Sequence, residues 1–210
     1  MWVKSPLSPL FQRGVTPEQL LTINNQKVLP LRKSNKKITD DSVVIDLLNT
    51  CHTGRLGTVG TDGRPMVKPL SFAYCEGRIY FHCARDGEKL DDIKRDNRVC
   101  FEVDLPIAYV KGTRDNPCRA EYLYRSVIAN GQAVIVEDRA ERLLALDCLM
   151  QKYQPEVEHG PYPEEKLALT CIVRIDIEEM SGKEDLGRGE LRELVLRKLE
   201  EKSQLPFVIE

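Results

Sequence analysis

The fifty residues from Arg55 to Asp104, RLGTVGTDGRPMVKPLSFAYCEGRIYFHCARDGEKLDDIKRDNRVCFEVD, restrict the fold more than any other stretch of the chain. Asp62-Gly63 lies between two runs of alternating pattern, and a pair that tolerates positive φ at that place predicts a hairpin turn. A second turn at Glu76-Gly77 leads into the apolar strand Ile79-Tyr80-Phe81-His82. A helix then opens at Asp86-Gly87, and Val99-Cys100-Phe101 is strand again. Three strands, a helix and a strand in so short a span make an antiparallel meander with one helix laid across it.

A chain of 210 residues, 41% hydrophobic and 30% charged, buries one good core. Residues 1–37 hold seven Lys/Arg against Glu18, a net +6, and the remainder holds 24 against 32, a net −8. The body of the protein therefore repels nucleic acid, and the basic N-terminal arm is expected to be a solvated, weakly ordered extension. Seven cysteines, odd in number and never spaced C-x-x-C, exclude a disulfide framework or a zinc site and suit a reducing compartment. No stretch reaches the roughly 20 apolar residues that span a bilayer, and Met1 to Pro6 lacks the apolar block of a signal peptide, so a cytoplasmic protein is expected.

The working domain is expected over residues 38–184, with a C-terminal helix and tail over 185–210. Thr39 is the N-cap candidate for a helix with Val43, Val44, Leu47 and Leu48 on one stripe, ended by Gly54. Pro65 and Pro69 place their strand at an edge or a bulge, where unpaired backbone is left for a ligand. Leu105 to Ala120 reads as irregular, and Glu121 to Val136 as a long strand with a bulge at Gly131. A helix after Glu137-Asp138 shows Leu143, Leu144, Leu146 and Met150. Leu169 to Ile177 alternates as a half-buried strand, closed by Ser181 to Glu184. Leu191, Leu194, Val195 and Leu199 line one side of the last helix, which is expected to dock on the domain or on a second copy. About six strands with flanking helices predict a mainly β, six-stranded antiparallel Greek-key split β-barrel.

One polar cluster has the makings of a site. Arg85 and Lys89 stand four residues apart across a helix start, and with Gly87 allowing close approach to the backbone they are either a phosphate site or a solvated basic face with Asp86 and Glu88 as local partners. His82, just before that turn, either contacts a ring, relays a proton or is a satisfied structural residue. Lys68 and the pair Arg125-Ser126 are either outward strand residues or further ligand contacts. No G-x-G-x-x-G follows a strand, and Walker, G-x-S-x-G and H-E-x-x-H motifs are absent, as is any metal-ligand spacing.

The segments RLGTVGTDGRPMVKPLSFAY, GRIYFHCARDGEKLDDIKRDNRVCFEV, YRSVIANGQAVIV and RIDIEEMSGKE, in that order, resemble the pyridoxamine 5′-phosphate oxidase-like FMN-binding split-barrel family. YFH-x-A-x-x-G-x-K and the terminal SGKE are similar to its nitroimidazole-resistance branch. The resemblance implies a homodimer with FMN between subunits, and an oxidoreductase passing electrons from a nicotinamide or similar small-molecule donor to a small acceptor such as a nitro-aromatic. It places Val67, Lys68, Pro69, Leu70 and Ser71 along the isoalloxazine, Phe81 and His82 beside it, Lys89 with Arg85 on the phosphate, and Ser126 with Arg125 approaching from the partner subunit. His82 corresponds to the active-site histidine of the branch. Glu88 departs from the second basic residue of true pyridoxamine phosphate oxidases, whose C-terminal substrate segment is also missing, so vitamin B6 oxidation is not implied. FAD, the deazaflavin F420 or haem are the alternative occupants, and a non-catalytic flavin-binding or regulatory module is the alternative function.

Overall fold

The structure, a computed structural model, describes residues 27–28 and 32–209. In chain order the elements are β1 (Lys27–Val28), α1 (Asp41–Thr50), β2 (Gly54–Val59), β3 (Pro65–Leu70), β4 (Ala73–Cys75), β5 (Arg78–Ala84), α2 (Glu88–Arg95) and β6 (Arg98–Val110). They continue as β7 (Glu121–Val136), α3 (Arg139–Tyr153), α4 (Glu164–Leu169), β8 (Thr170–Asp185), α5 (Glu190–Glu200) and β9 (Phe207–Ile209). One sheet joins the strands in the order β3-β2-β6-β7-β8-β5-β4, with β1 added in parallel to β8 and β9 in parallel to β6. The ladder has two ends, β3 and β4.

The split-barrel class stands, with seven strands in the main path and two short additions where six were expected. Asp62-Gly63 turns the first hairpin. Gly63 takes φ +80°, its N–H donates to Gly60 O at 2.9 Å, and Gly60 N–H donates to Arg64 O at 2.7 Å. That is the three-residue loop whose left-handed glycine forms a bulge. The prolines of β3 are indeed on an end strand, where a missing N–H breaks no ladder bond.

Four local expectations are corrected. Asp40, not Thr39, caps α1, its carboxylate accepting from Ser42 N–H at 2.9 Å, and the helix ends at Thr50. β6 runs on through Pro106 to Val110: Pro106 stands opposite Tyr124, and Ile107 is the extra residue of a bulge before Ala108 pairs with Leu123. Leu167 and Leu169 belong to α4, and Leu169 is exposed. Ser181 to Glu184 does not close β8 but continues it against Ser126–Ile128 and Arg125.

The arm expected over residues 1–37 lies largely outside the described residues. Its described end is tied to the barrel: Lys27 and Val28 pair with Glu179 and Met180, Lys37 bridges Lys183, and Lys36 forms an ion pair with Asp185. The main core lies inside the barrel, capped by α1 through Val44, Ile45, Leu47 and Leu48. A second core of Ala145, Cys148 and Leu149 seats α3 on Tyr80, Val136 and Ile172. Val195 of α5 packs on Ile107, Leu123 and Leu186. α3 is also tied to its neighbours by polar bonds: Lys152 Nζ donates to Leu48 O at 2.8 Å, and Tyr153 Oη accepts from Phe72 N–H at 3.0 Å while donating to His52 O at 2.6 Å. All seven cysteines are free, four of them buried. Among the described residues no helix is long and apolar enough to cross a membrane.

Candidate functional site

Three elements converge where α2 begins. Asp92, 1% exposed, faces the hairpin from the middle of α2: Thr58 Oγ1 on β2 donates to its Oδ2 at 2.8 Å, and Lys68 Nζ on β3 stands 3.3 Å from the same oxygen. Arg95 lies 3.5 Å from Oδ1 and also donates to Val59 O. Burial pushes the Asp92 carboxyl up, and the Thr58 hydroxyl, Lys68 and Arg95 outweigh it, so its pKa lies below the usual carboxylate value. Lys68 reaches Glu88 as well, at 3.4 Å. Lys68 is thus engaged in holding the edge strand to the helix. It faces inward because even positions on β3 do so, with Val67 on the other face 65% exposed.

The turn before α2 is open. Gly87 has φ +123°, a conformation that L side chains rarely adopt, and a Cβ there would meet nothing within 4 Å. No side chain caps the helix, leaving its first N–H groups and the positive end of its dipole for an anion. Lys89, half-buried, holds its ammonium 5.2 Å from the centroid of the fully buried Phe81 ring and has no ion-pair partner among the described residues. Arg85 is exposed but turns to the end of α4, donating to Ala168 O at 3.0 Å. Around this cradle the structure gathers Lys68, Phe81 and Lys89.

The free edge of β3 has a defined polarity. Antiparallel pairs alternate between bonded and non-bonded, and the Gly60 N–H to Arg64 O bond makes Pro65, Val67 and Pro69 the residues whose backbone turns away from β2. Prolines have no N–H, so this edge presents three carbonyls and a single donor, Val67 N–H. Leu70 is half-buried and Ser71 exposed where the strand ends.

His82 is exposed and, by strand alternation, shares a face with Tyr80 rather than with Phe81. Its ring has no hydrogen-bond partner among the described residues. The Arg125-Ser126 pair is split the same way. Ser126 lies on the outer face with Tyr122, Tyr124 and Ile128, whereas Arg125 turns to the opposite face and pairs with Glu184 at 3.0 Å. Tyr109, Tyr122 and Tyr124 stack on that outer face, with ring centroids 5.2 and 5.6 Å apart.

Thr58 and Asp92 are the residues that sequence reasoning missed. An acid beside the helix's apolar positions Leu90 and Ile93 looks like any solvated charge until the hairpin is folded against it. A nucleophilic thiol has no support here, since burial pushes Cys51 and Cys83 up to about 11. No cluster of three or more His, Cys, Asp or Glu suited to a metal ion occurs among the described residues.

Solved structures of other proteins share the fold. A candidate 5-nitroimidazole antibiotic resistance protein from Bacteroides thetaiotaomicron VPI-5482 is 23% identical, with a TM-score of 0.62 over 70% of this chain and 85% of that one. The flavocytochrome Anf3 from Azotobacter vinelandii is 22% identical, TM-score 0.65, over 79% and 78%. An FAD and heme binding protein from Mycobacterium smegmatis is 21% identical, TM-score 0.66, over 77% and 79%. A search of curated proteins finds no match. A sequence model described as pyridoxamine 5′-phosphate oxidase matches residues 40–184, more than two thirds of the chain, and the protein belongs to that family.

Proposed function

We propose that the protein is a homodimeric flavoprotein that holds FMN by its phosphate at the start of α2 and works as an oxidoreductase. The observation that carries this reading is the uncapped turn at Gly87, with the Lys89 ammonium, unpaired among the described residues, beside it and the free edge of β3 fastened nearby through Asp92. Names of relatives add support: two are described as flavin or haem proteins and one as a nitroimidazole resistance protein. The isoalloxazine, when bound, supplies the hydride chemistry.

The chain's own residues supply position and charge. Lys89 and the first N–H groups of α2 neutralise and orient a phosphate. Val67 offers its N–H and C=O side by side to a polar ring edge, as a neighbouring strand would. The stacked tyrosines, with Ile128 and Val208 exposed at 40% and 56%, form the face for a second copy, which would bring Ser126 toward the partner's cofactor. His82, exposed and without a hydrogen-bond partner among the described residues, delivers a proton to the reduced acceptor. Electrons come from a nicotinamide donor, and a nitro-aromatic is the acceptor class favoured by the relative from Bacteroides thetaiotaomicron.

The absorption spectrum of the purified protein tests the reading. Flavin bands that bleach under anaerobic NADPH or NADH are expected. A colourless protein that takes up no FMN, or a haem or deazaflavin spectrum, overturns it. Lys89→Ala should weaken FMN binding about ten- to a hundredfold, the worth of one charge-assisted contact. Val67→Pro should weaken it roughly three- to tenfold by removing one neutral donor, with no change in unfolding midpoint since no ladder bond is lost. His82→Ala should lower turnover about a hundredfold at unchanged FMN content, and full turnover in that variant removes the proton-delivery role.

A further inference from the structure

Arg125 turns to the face opposite the one that carries Ser126. A cavity of about 560 Å3 opens between the chain entering α1, the end of β8 and the start of α5. Five of its lining residues precede residue 40 and six follow residue 184, so eleven of the fifteen lie outside the family-matched span.

Its wall is cationic. Lys36, Lys37, Arg125, Arg188 and Arg192 face three carboxylates, Asp40, Glu184 and Asp185. All three carboxylates are engaged. Asp40 is spent on capping α1, accepting from both the N–H and the hydroxyl of Ser42. Asp185 holds Lys36. Glu184 is shared by Arg125 at 3.0 Å and Arg192 at 2.6 Å, and one carboxylate between two guanidiniums leaves a positive charge over. Lys37 and Arg188 have no ion-pair partner among the described residues. At the start of α5 the N-cap Gly189 carries no side-chain cap and lines the same cavity, leaving helix N–H groups open, while Glu190 and Glu193 of the first turn are not among the lining residues. Ile38, Val43 and Leu186 give the remaining wall an apolar character.

We propose that this cavity binds a phosphate-bearing organic molecule at a site separate from the flavin. Guanidinium forks and helix N–H groups suit phosphate oxygens. The volume falls in the range of small-molecule sites and far exceeds one phosphate, so the apolar wall takes an organic body. None of Gly87, Lys89 and Val67 takes part, and the site stands whether or not the flavin reading does.

Calorimetric titration of the full chain with adenosine 5′-monophosphate, inorganic pyrophosphate and phosphate-free adenosine tests this. The expected result is saturable binding of the monophosphate at one per chain, with adenosine at least about tenfold weaker. Lys37→Glu/Arg188→Glu, which breaks no ion pair among the described residues, should weaken the monophosphate about tenfold or more and leave FMN per chain unchanged. Binding of neither phosphate, equal binding of adenosine, an unaffected double variant, or displacement of the monophosphate by one equivalent of FMN each overturns the proposal. A protein that takes up no FMN yet binds the monophosphate overturns the flavin reading and leaves this one standing.

Discussion

Asp92→Ala is expected to lower stability by about 2 to 3 kcal/mol and, in the same molecule, to weaken FMN binding. The carboxylate is buried and joins β2, β3 and α2 through Thr58, Lys68 and Arg95. Removing it leaves a buried hydroxyl without its acceptor and a mostly buried ammonium, 19% exposed, with only the exposed Glu88 carboxylate at 3.4 Å, a loss larger than that of the bonds themselves. For a chain of this length the unfolding midpoint should fall roughly 5 to 10 °C. The cofactor effect arises because this clamp sets the distance between the β3 edge and the turn at Gly87. The double variant Asp92→Leu/Lys68→Met removes both charges and should recover part of the stability but not the FMN affinity. An unchanged midpoint in Asp92→Ala would sink the clamp.

The pH dependence has a definite sign. The folded-state pKa of Asp92 lies below its unfolded value, so its contribution is present above the ordinary carboxylate range. It is lost as pH falls through the folded-state pKa, and the stability curves of wild type and Asp92→Ala should converge in acid.

What was legible before folding was the chemistry that acts within a few residues. Asp62-Gly63, Gly87 and the prolines of β3 each limit their own backbone, and each does in the structure what its covalent geometry demands. What escaped depends on partners far along the chain. Ser181 to Glu184 looks like a turn because it holds Gly182, yet that glycine is there for packing: a Cβ would come within 2.7 Å of Val44 Cγ2, where α1 lies on β8. Pro106 looks like the end of a strand, yet it stands opposite Tyr124 and the strand runs on past it through the bulge at Ile107. Asp92 carries no signature of its role, since its partners lie 34 and 24 positions away. The separation of Arg125 from Ser126 was hidden for a related reason: alternation sends neighbours to opposite faces, and the sequence alone does not show which of the two turns to Glu184.

Gly131→Ala is expected to cost about 3 kcal/mol or more. A Cβ there would stand 2.2 Å from Asp176 O, a backbone atom on β8 that cannot swing aside. Gly160→Ala is the control, since a Cβ at Gly160 meets nothing within 4 Å, and it should change stability by less than about 0.5 kcal/mol. The register makes the consequence more than a clash. Gly131 pairs with Ile177 and Asn130 with Glu179, so Glu178 is the extra residue of a bulge. That one residue sets every pairing beyond it: with it Arg125 stands opposite Glu184, and without it the count would bring Lys183 there instead. A one-residue slip exchanges the two faces of a strand. Here it would set a lysine against an arginine and withdraw the carboxylate that Arg125 and Arg192 share, so the bulge at Gly131 fixes the charge pattern of the cavity about six residues away along β7. Unfolding of Gly131→Ala by denaturant, with monophosphate binding measured on the folded fraction, checks both effects, and a variant as stable as wild type would show that β8 tolerates the extra atom without changing register.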